Sequence, residues 1–293
     1  MTDPWAEWVL ERRFGDPEQV VRTLEFLEPV RERVLAGAEI REGDVVVDVG
    51  AGDGLIAFGA LPLVGETGRV IFADVSQDLL DVSRDLAREL HALDRCEFVL
   101  ARAEDLGPIA DASVQVVTTR SVVIYVEEKQ RAFDEFFRVL EPGGRLSIFE
   151  PINRFTFPEP EDQFGGFDRS AVGPLVRRVK DTYNRLTGPG ESTLVDFDER
   201  DLLTFAERAG FQKVELTYEA TIERGAGAHW GADVSWDTFL RIAPNPLAPS
   251  LAETIDQALT PEEAERFVAH MRPLFESKEG TARSAVAYLR ARK

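Results

Sequence analysis

Five short apolar runs punctuate residues 45–150, and segments of helical periodicity lie between most of them. The β-branched run Val45-Val46-Val47 opens a strand that ends at Val49, and a helix-compatible segment, Leu55 to Ala60, follows directly. Residues 68–74, 96–100 and 113–119 read as further strands, with helices over 77–91 and 127–140. Ser76 is placed to cap the first of these helices. At Leu140-Glu141-Pro142-Gly143-Gly144, proline stops the helix and the two glycines make a turn. A buried strand then resumes and runs to Glu150. Alternating strands and helices imply parallel pairing with right-handed crossovers.

The flanks read differently. Residues 1–40 are helix-forming, with Trp5, Trp8 and Val9 on one face. Val20, Val21, Leu24, Leu27, Val30 and Val34 continue at helical spacing. After Glu150, Pro151, Pro158 and Pro160 exclude regular helix or central strand. Val172, Leu175, Val176, Val179 and Tyr183 mark a helix near 169–186. A helix over 198–211 is closed by Gly210, a long strand covers 213–222, a helix runs from Pro261 to about Phe275, and residues 282–290 alternate as a last strand. The divisions are a helical cap at 1–40, a core at 41–150, an insertion at 151–196, a return to the core at 197–223, a second insertion with its helix at 224–279, and a final strand at 280–293.

The strand-to-helix turn carries the first chemistry. Gly50, Gly52 and Gly54 can take positive φ and leave room for a ligand against backbone, and the helix start adds free N–H groups. A tight turn without a ligand has the same composition. A dinucleotide fingerprint would place a third glycine where this chain has Leu55. Asp48, two residues before the first glycine, suits a ligand bearing an ammonium group. Asp74 ends the second strand 20 residues after Gly54, where a carboxylate can accept both hydroxyls of a ribose.

These features resemble the first motifs of class I S-adenosylmethionine-dependent methyltransferases, and L-x-P-G-G-x-L at Leu140–Leu146 is a further family resemblance. That last segment is similar to ubiquinone/menaquinone-type and bacterial natural-product members. The resemblance covers roughly residues 40–150. It implies an α/β fold with a doubly wound, Rossmann-like seven-stranded sheet, the last strand antiparallel, N-terminal helices over the cofactor cleft and a helical lid from the two insertions. The implied cofactor is S-adenosylmethionine, with S-adenosylhomocysteine as product. The implied cofactor set is Asp48, Gly50, Ala51, Gly52, Asp53, Gly54, Asp74, Val75, Ala103, Glu104 and Arg120. One departure stands out: many relatives carry an acid where this chain has Arg102, so the adenine edge falls to Glu104, Asp105 or backbone.

Composition narrows the acceptor. The net charge of −19, from 53 acids and 34 bases, argues against a nucleic-acid substrate and against docking on anionic lipid. The single cysteine, Cys96, permits no intramolecular disulfide and no thiolate cluster, and the three histidines form no metal-binding pair. No apolar run is long enough to span a membrane, so a cytoplasmic protein with a small-molecule acceptor is expected. No Asp/Asn-Pro-Pro-Tyr follows the fourth strand, where Thr119-Arg120-Ser121 stands instead.

Asp48, Asp74, Arg120 and Glu150 fall at strand carboxyl ends, where open α/β sheets bind ligands. Arg120, Glu150 and His229 are the catalytic candidates, with His270 behind them. Arg120 suits the cofactor carboxylate, an acidic acceptor or an ion pair with Glu150. Glu150 suits a base, a loop cap or a partner for Arg154, and His229 a base or a lid residue. Trp5, Trp8 and Tyr125 are candidates for cation–π contact with a sulfonium. Phe155, Phe157, Trp230, Trp236 and Phe239 suggest an apolar or aromatic acceptor, or ordinary packing of the lid. The alternatives are a nicotinamide-dependent oxidoreductase, or a protein that binds S-adenosylmethionine without turnover.

Overall fold

The computed structural model describes residues 3–13, 17–187, 193–225 and 234–293; in the helix that begins at Pro17, side chains are described from residue 27 onward. Seven strands form one sheet: β1 (Val45–Val49), β2 (Arg69–Asp74), β3 (Cys96–Leu100), β4 (Val114–Arg120), β5 (Leu140–Pro151), β8 (Lys213–Arg224) and β9 (Thr281–Arg292). A separate two-stranded hairpin supplies β6 (Gln163–Phe164) and β7 (Phe167–Asp168). The order is β3-β2-β1-β4-β5-β9-β8, parallel from β3 to β5, with β9 antiparallel to both of its neighbours β5 and β8, so that β9 alone runs against the rest of the sheet.

The valine run of β1 suits a strand covered on both faces. Val47 and Val49 face one apolar cluster together with Ile71, Val117, Phe133 and Phe136. Val46 faces the other with Val70, Phe72 and Val116. This is the period-2 alternation of a strand. The first cluster is closed by α5 (Lys129–Val139) and α7 (Glu199–Ala209), and the second by α2 (Pro17–Ala38) and α3 (Leu55–Val64). α4 (Gln77–Glu89) packs on β2 and β3. β1 has β2 on one side and β4 on the other, so the strand order reverses at β1 and opens a crevice above its end.

The turn expected at Pro142-Gly143-Gly144 lies within β5. Leu140 already pairs with Val114, and the register slips before Arg145 resumes opposite Val116. The C-terminus explains this: Gly143, at φ +82, donates its N–H to the Lys293 carbonyl at 2.9 Å, and Lys293 donates to Gly144 at 3.0 Å.

The two segments expected as insertions share one small core. It comprises Phe167, α6 (Gly173–Thr187), α8 (Trp236–Arg241), α9 (Leu251–Ala258) and α10 (Pro261–Glu276). Phe239 and Trp236 pack on Phe275, with ring centroids 4.8 and 5.4 Å apart. Trp236 is buried, so these two aromatics fill the subdomain core. Phe155 packs against the main sheet cluster. His270 bonds through Nε2 to the Asp168 carbonyl at 2.9 Å, a contact inside the subdomain.

The N-terminal residues form a strap. α1 (Pro4–Glu7) runs into a π-turn at Trp8–Arg12. Trp5, Ala6, Trp8 and Val9 pack around Leu79 of α4, as their shared face predicts.

Candidate active site

The glycine loop has three distinct jobs. Gly50, Gly52 and Gly54 all have positive φ, at 67°, 56° and 86°. A Cβ on Gly50 would stand 2.3 Å from a Val122 methyl, and one on Gly54 would stand 2.5 Å from the Phe58 ring. These two glycines let the loop pack against the protein. A Cβ on Gly52 would meet nothing within 4 Å, so this is the open side of the loop. Gly50 and Ala51 donate their N–H groups to the Ala73 carbonyl, locking the loop to the end of β2.

Asp48 sits inside the fold. One carboxylate oxygen accepts the Ala57 N–H at 3.1 Å and the other accepts the Thr118 hydroxyl at 2.8 Å. It supplies the cap that Gly54, at the start of α3, cannot. Burial pushes its pKa up to about 7, against the pull of Thr118 and Arg120. These two bonds tie β1 to α3 and β4.

Asp74 accepts the Gly52 N–H at 2.8 Å on one oxygen and the Ser76 N–H at 2.9 Å on the other. Each carboxylate oxygen keeps a further lone pair. Burial raises its pKa, with backbone donors pulling the other way and Asp3 adding to the rise. Val75 beside it is exposed. Ser76 caps α4 through the Leu79 N–H, as expected, and donates its hydroxyl to Asp3 at 2.5 Å. Beyond β3, Ala103 and Glu104 are buried, and Arg102 forms a 2.6 Å ion pair with Glu104. The residue that departs from the family pattern thus binds one of the carboxylates expected at the adenine edge.

The end of β4 carries the third group. The Arg120 side chain forms no hydrogen bond or ion pair with any other described residue. Ser121 follows in the left-handed region at φ +55, then the single turn Val123–Tyr125. That turn is held by Glu150, which accepts the N–H groups of Val122, Val123 and Ile124 at 2.8, 2.9 and 3.1 Å. Burial lifts the Glu150 pKa to about 7 despite these bonds. Arg154 lies instead 3.9 Å from Asp198. Tyr125 meets Trp5 edge-on at 5.0 Å, and burial raises its hydroxyl to about 12, with Arg13 and Arg120 opposing.

His229 and Trp230 lie outside the described residues. The structure brings together the glycine loop, Asp74, Arg120 and Tyr125, and it adds Arg13, Asp3 and Thr118, which were not expected. Thr118 was hidden within an apolar strand. Arg13 stands in a charged run with no pattern to mark it. Only the Trp5/Trp8 stripe beside Arg13 hints that its segment docks.

A family model for ubiE/COQ5 methyltransferases matches residues 23–233. The chain belongs to the ubiE/COQ5 methyltransferase family. It is 33% identical over 182 residues to the ubiquinone/menaquinone biosynthesis C-methyltransferase UbiE of Klebsiella pneumoniae, covering 60% of this chain and 69% of that protein. An Escherichia coli UbiE is 32% identical over the same shares. Among solved structures, the YcgJ protein of Bacillus subtilis aligns over 91% of this chain and 98% of its own, with TM-score 0.55 and 17% identity. A putative methyltransferase from Bacillus halodurans aligns over 90% and 98%, with TM-score 0.52 and 18% identity. These two likenesses speak to the fold. The chain is therefore an S-adenosylmethionine-dependent methyltransferase acting on a small molecule, which sets aside the nicotinamide alternative. The site suits that cofactor: the loop is open at Gly52, and a carboxylate with free lone pairs stands beside it at Asp74.

Proposed function

We propose that the acceptor is a small, planar ring compound, methylated above the end of β4 in the cleft between the sheet and the helical subdomain. The observation that carries this reading is Arg120, a guanidinium without a protein partner among the described residues, whose charge is felt by the Tyr125 hydroxyl; the Tyr125 ring in turn meets Trp5 edge-on. The aromatic edges suit a ring, and the guanidinium suits an oxygen substituent that gains negative charge as the ring attacks. The UbiE relatives are C-methyltransferases of ubiquinone and menaquinone biosynthesis by name, which favours a ring carbon as the methylated atom.

The cofactor supplies a methyl group already activated by positive sulfur. Asp74, Val75, Ala103 and the open side of the glycine loop would hold it, and Glu104 would stand at the adenine edge with Arg102. The remaining work is to align the acceptor and exclude water. Arg120 stabilises the acceptor oxygen, and Tyr125 shapes the ring site. Glu150 acts as a positioning residue, because its oxygens already hold the 122–124 turn that follows Arg120. We place the reaction in the cytoplasm, on a metabolite rather than a nucleic acid. The strong negative charge supports this, and no described helix is long and apolar enough to cross a membrane.

The test is tritiated methyl transfer to a panel of hydroquinones and naphthoquinols, with aliphatic amines alongside. Ring methylation, located by product NMR, is expected, and Arg120→Met should cut kcat roughly 100-fold, as loss of one oxyanion donor does. Transfer to the amines alone would sink the ring assignment.

A further inference from the structure

The end of the sheet away from the glycine loop carries a row of like charges. Arg145 of β5 pairs in register with Arg292 of β9, and Arg292 pairs in turn with Lys213 of β8. Residues directly opposed on neighbouring strands share a face, and like charges there repel. Arg290, two residues before Arg292, joins them on that face, opposite Glu215. Nearby carboxylates offset the repulsion in part. Arg145 pairs with Asp44, and Arg292 with Glu39 at 2.5 Å. Lys213 and Arg290 share one oxygen of Glu215, at 3.1 and 3.0 Å. Among the described residues, these four cations have three acids between them.

All four cations line one cavity of about 50 Å³, together with Glu39 and Glu215. Arg145 is its buried floor, with a side chain 7% exposed, while Lys213, Arg290 and Arg292 form an exposed rim. The Arg145 Nε is buried and has no hydrogen-bond partner among the described residues. A buried N–H left unpaired is costly, so a ligand that accepts from it gains more than a surface contact would. The cavity has room for more than one water but falls well short of pockets that enclose whole drug-sized ligands. Its lining holds four cations against two carboxylates in a chain of net charge −19, so the local excess runs against the composition. We propose that this cavity binds a phosphate group, either the free ion or the end of a small phosphomonoester. Guanidinium forks match phosphate oxygens, and a dianion answers the surplus of cations. Arg145 stands five residues before Glu150 on β5, roughly 16 Å down the strand from it. The site is therefore separate from the glycine loop and from Arg120. A phosphate held there would clamp β5, β9 and β8 to the residue that follows α2.

The test is thermal unfolding and isothermal titration of the full chain with inorganic phosphate, with sodium chloride holding the ionic strength constant. Phosphate should raise the apparent Tm with a concentration dependence that chloride lacks. Lys213→Met and Arg290→Met, both at the exposed rim, should each weaken phosphate binding roughly 10-fold, as loss of one charge-assisted hydrogen bond does. Glu215→Gln releases both cations and should tighten binding severalfold, a gain that a purely structural ion-pair cluster would not give. Saturating S-adenosylhomocysteine should leave phosphate binding unchanged. Glycerol phosphate that binds as well as phosphate assigns the site to a phosphomonoester, and glycerol phosphate that fails to bind assigns it to the free ion. No Tm rise beyond that of chloride, wild-type affinity in both rim variants, weaker binding in Glu215→Gln, or displacement by S-adenosylhomocysteine would each overturn the proposal.

Discussion

The Glu150 carboxylate, near the end of the fifth strand, accepts the Val123 N–H at 2.9 Å across 27 residues of sequence. With Val122 and Ile124 as further donors, the carboxylate fixes the turn behind Arg120 while itself fully buried. Burial raises the pKa of Glu150 and of Asp48 to about 7, from ordinary values of 4.5 and 3.8. Each group thus holds its proton more tightly folded than unfolded. The stability this carries is full below about pH 4 and is lost as pH rises through about 7, roughly 3–4 kcal/mol per group. The apparent Tm should fall between pH 5.5 and pH 8. Glu150→Gln should lower Tm at pH 5.5, because its amide faces N–H donors, and should flatten the slope. An unchanged slope in the variant would exclude Glu150 as the titrating group.

Gly50 and Gly52 should separate folding from binding. Gly50→Ala combines left-handed strain with a 2.3 Å clash on Val122, and its Tm should drop sharply. Gly52→Ala meets no protein atom, so it should cost only about 1–2 kcal/mol of backbone strain. It should nonetheless abolish S-adenosylhomocysteine binding, because its methyl fills the open side of the loop. Wild-type affinity in Gly52→Ala would show that the ligand approaches elsewhere.

Asp74→Ala removes the carboxylate next to the open glycine. Losing a charge-assisted hydrogen bond of roughly 1.5–3 kcal/mol should raise the S-adenosylhomocysteine Kd about 10- to 100-fold. The variant also leaves the Gly52 and Ser76 N–H groups unpaired, so circular dichroism should confirm the fold beside each titration. An unaltered Kd would withdraw the ribose assignment.

The strap tie can be cut from either side. Ser76→Ala and Asp3→Ala both remove the 2.5 Å hydrogen bond, and both should speed S-adenosylhomocysteine dissociation in stopped-flow displacement. Only Ser76→Ala also strips the cap from the Leu79 N–H, so it alone should lose about 1 kcal/mol from α4. Equal off-rates in both variants and wild type would mean that the strap does not limit release.

Local rules carried much of this protein. The valine run of β1, the helices α4 and α5, the Ser76 cap and the Gly210 helix stop depend on near neighbours, so they were legible before any fold was known. The glycine loop and Asp74 were legible for the same reason: a strand, a tight turn and a helix leave few backbone solutions. Tertiary structure decided what depends on distant partners. The bonds of Asp48 to Thr118 and the Ala57 N–H, and of Glu150 to the 122–124 turn, come from partners 9 to 70 residues away in the chain. Trp236 and Phe239 became core once Phe275, far along the chain, packed against them. The course of the strap likewise depended on distant partners, because Asp3 is held by Ser76 and Trp8 by the Ala243 carbonyl far along the chain.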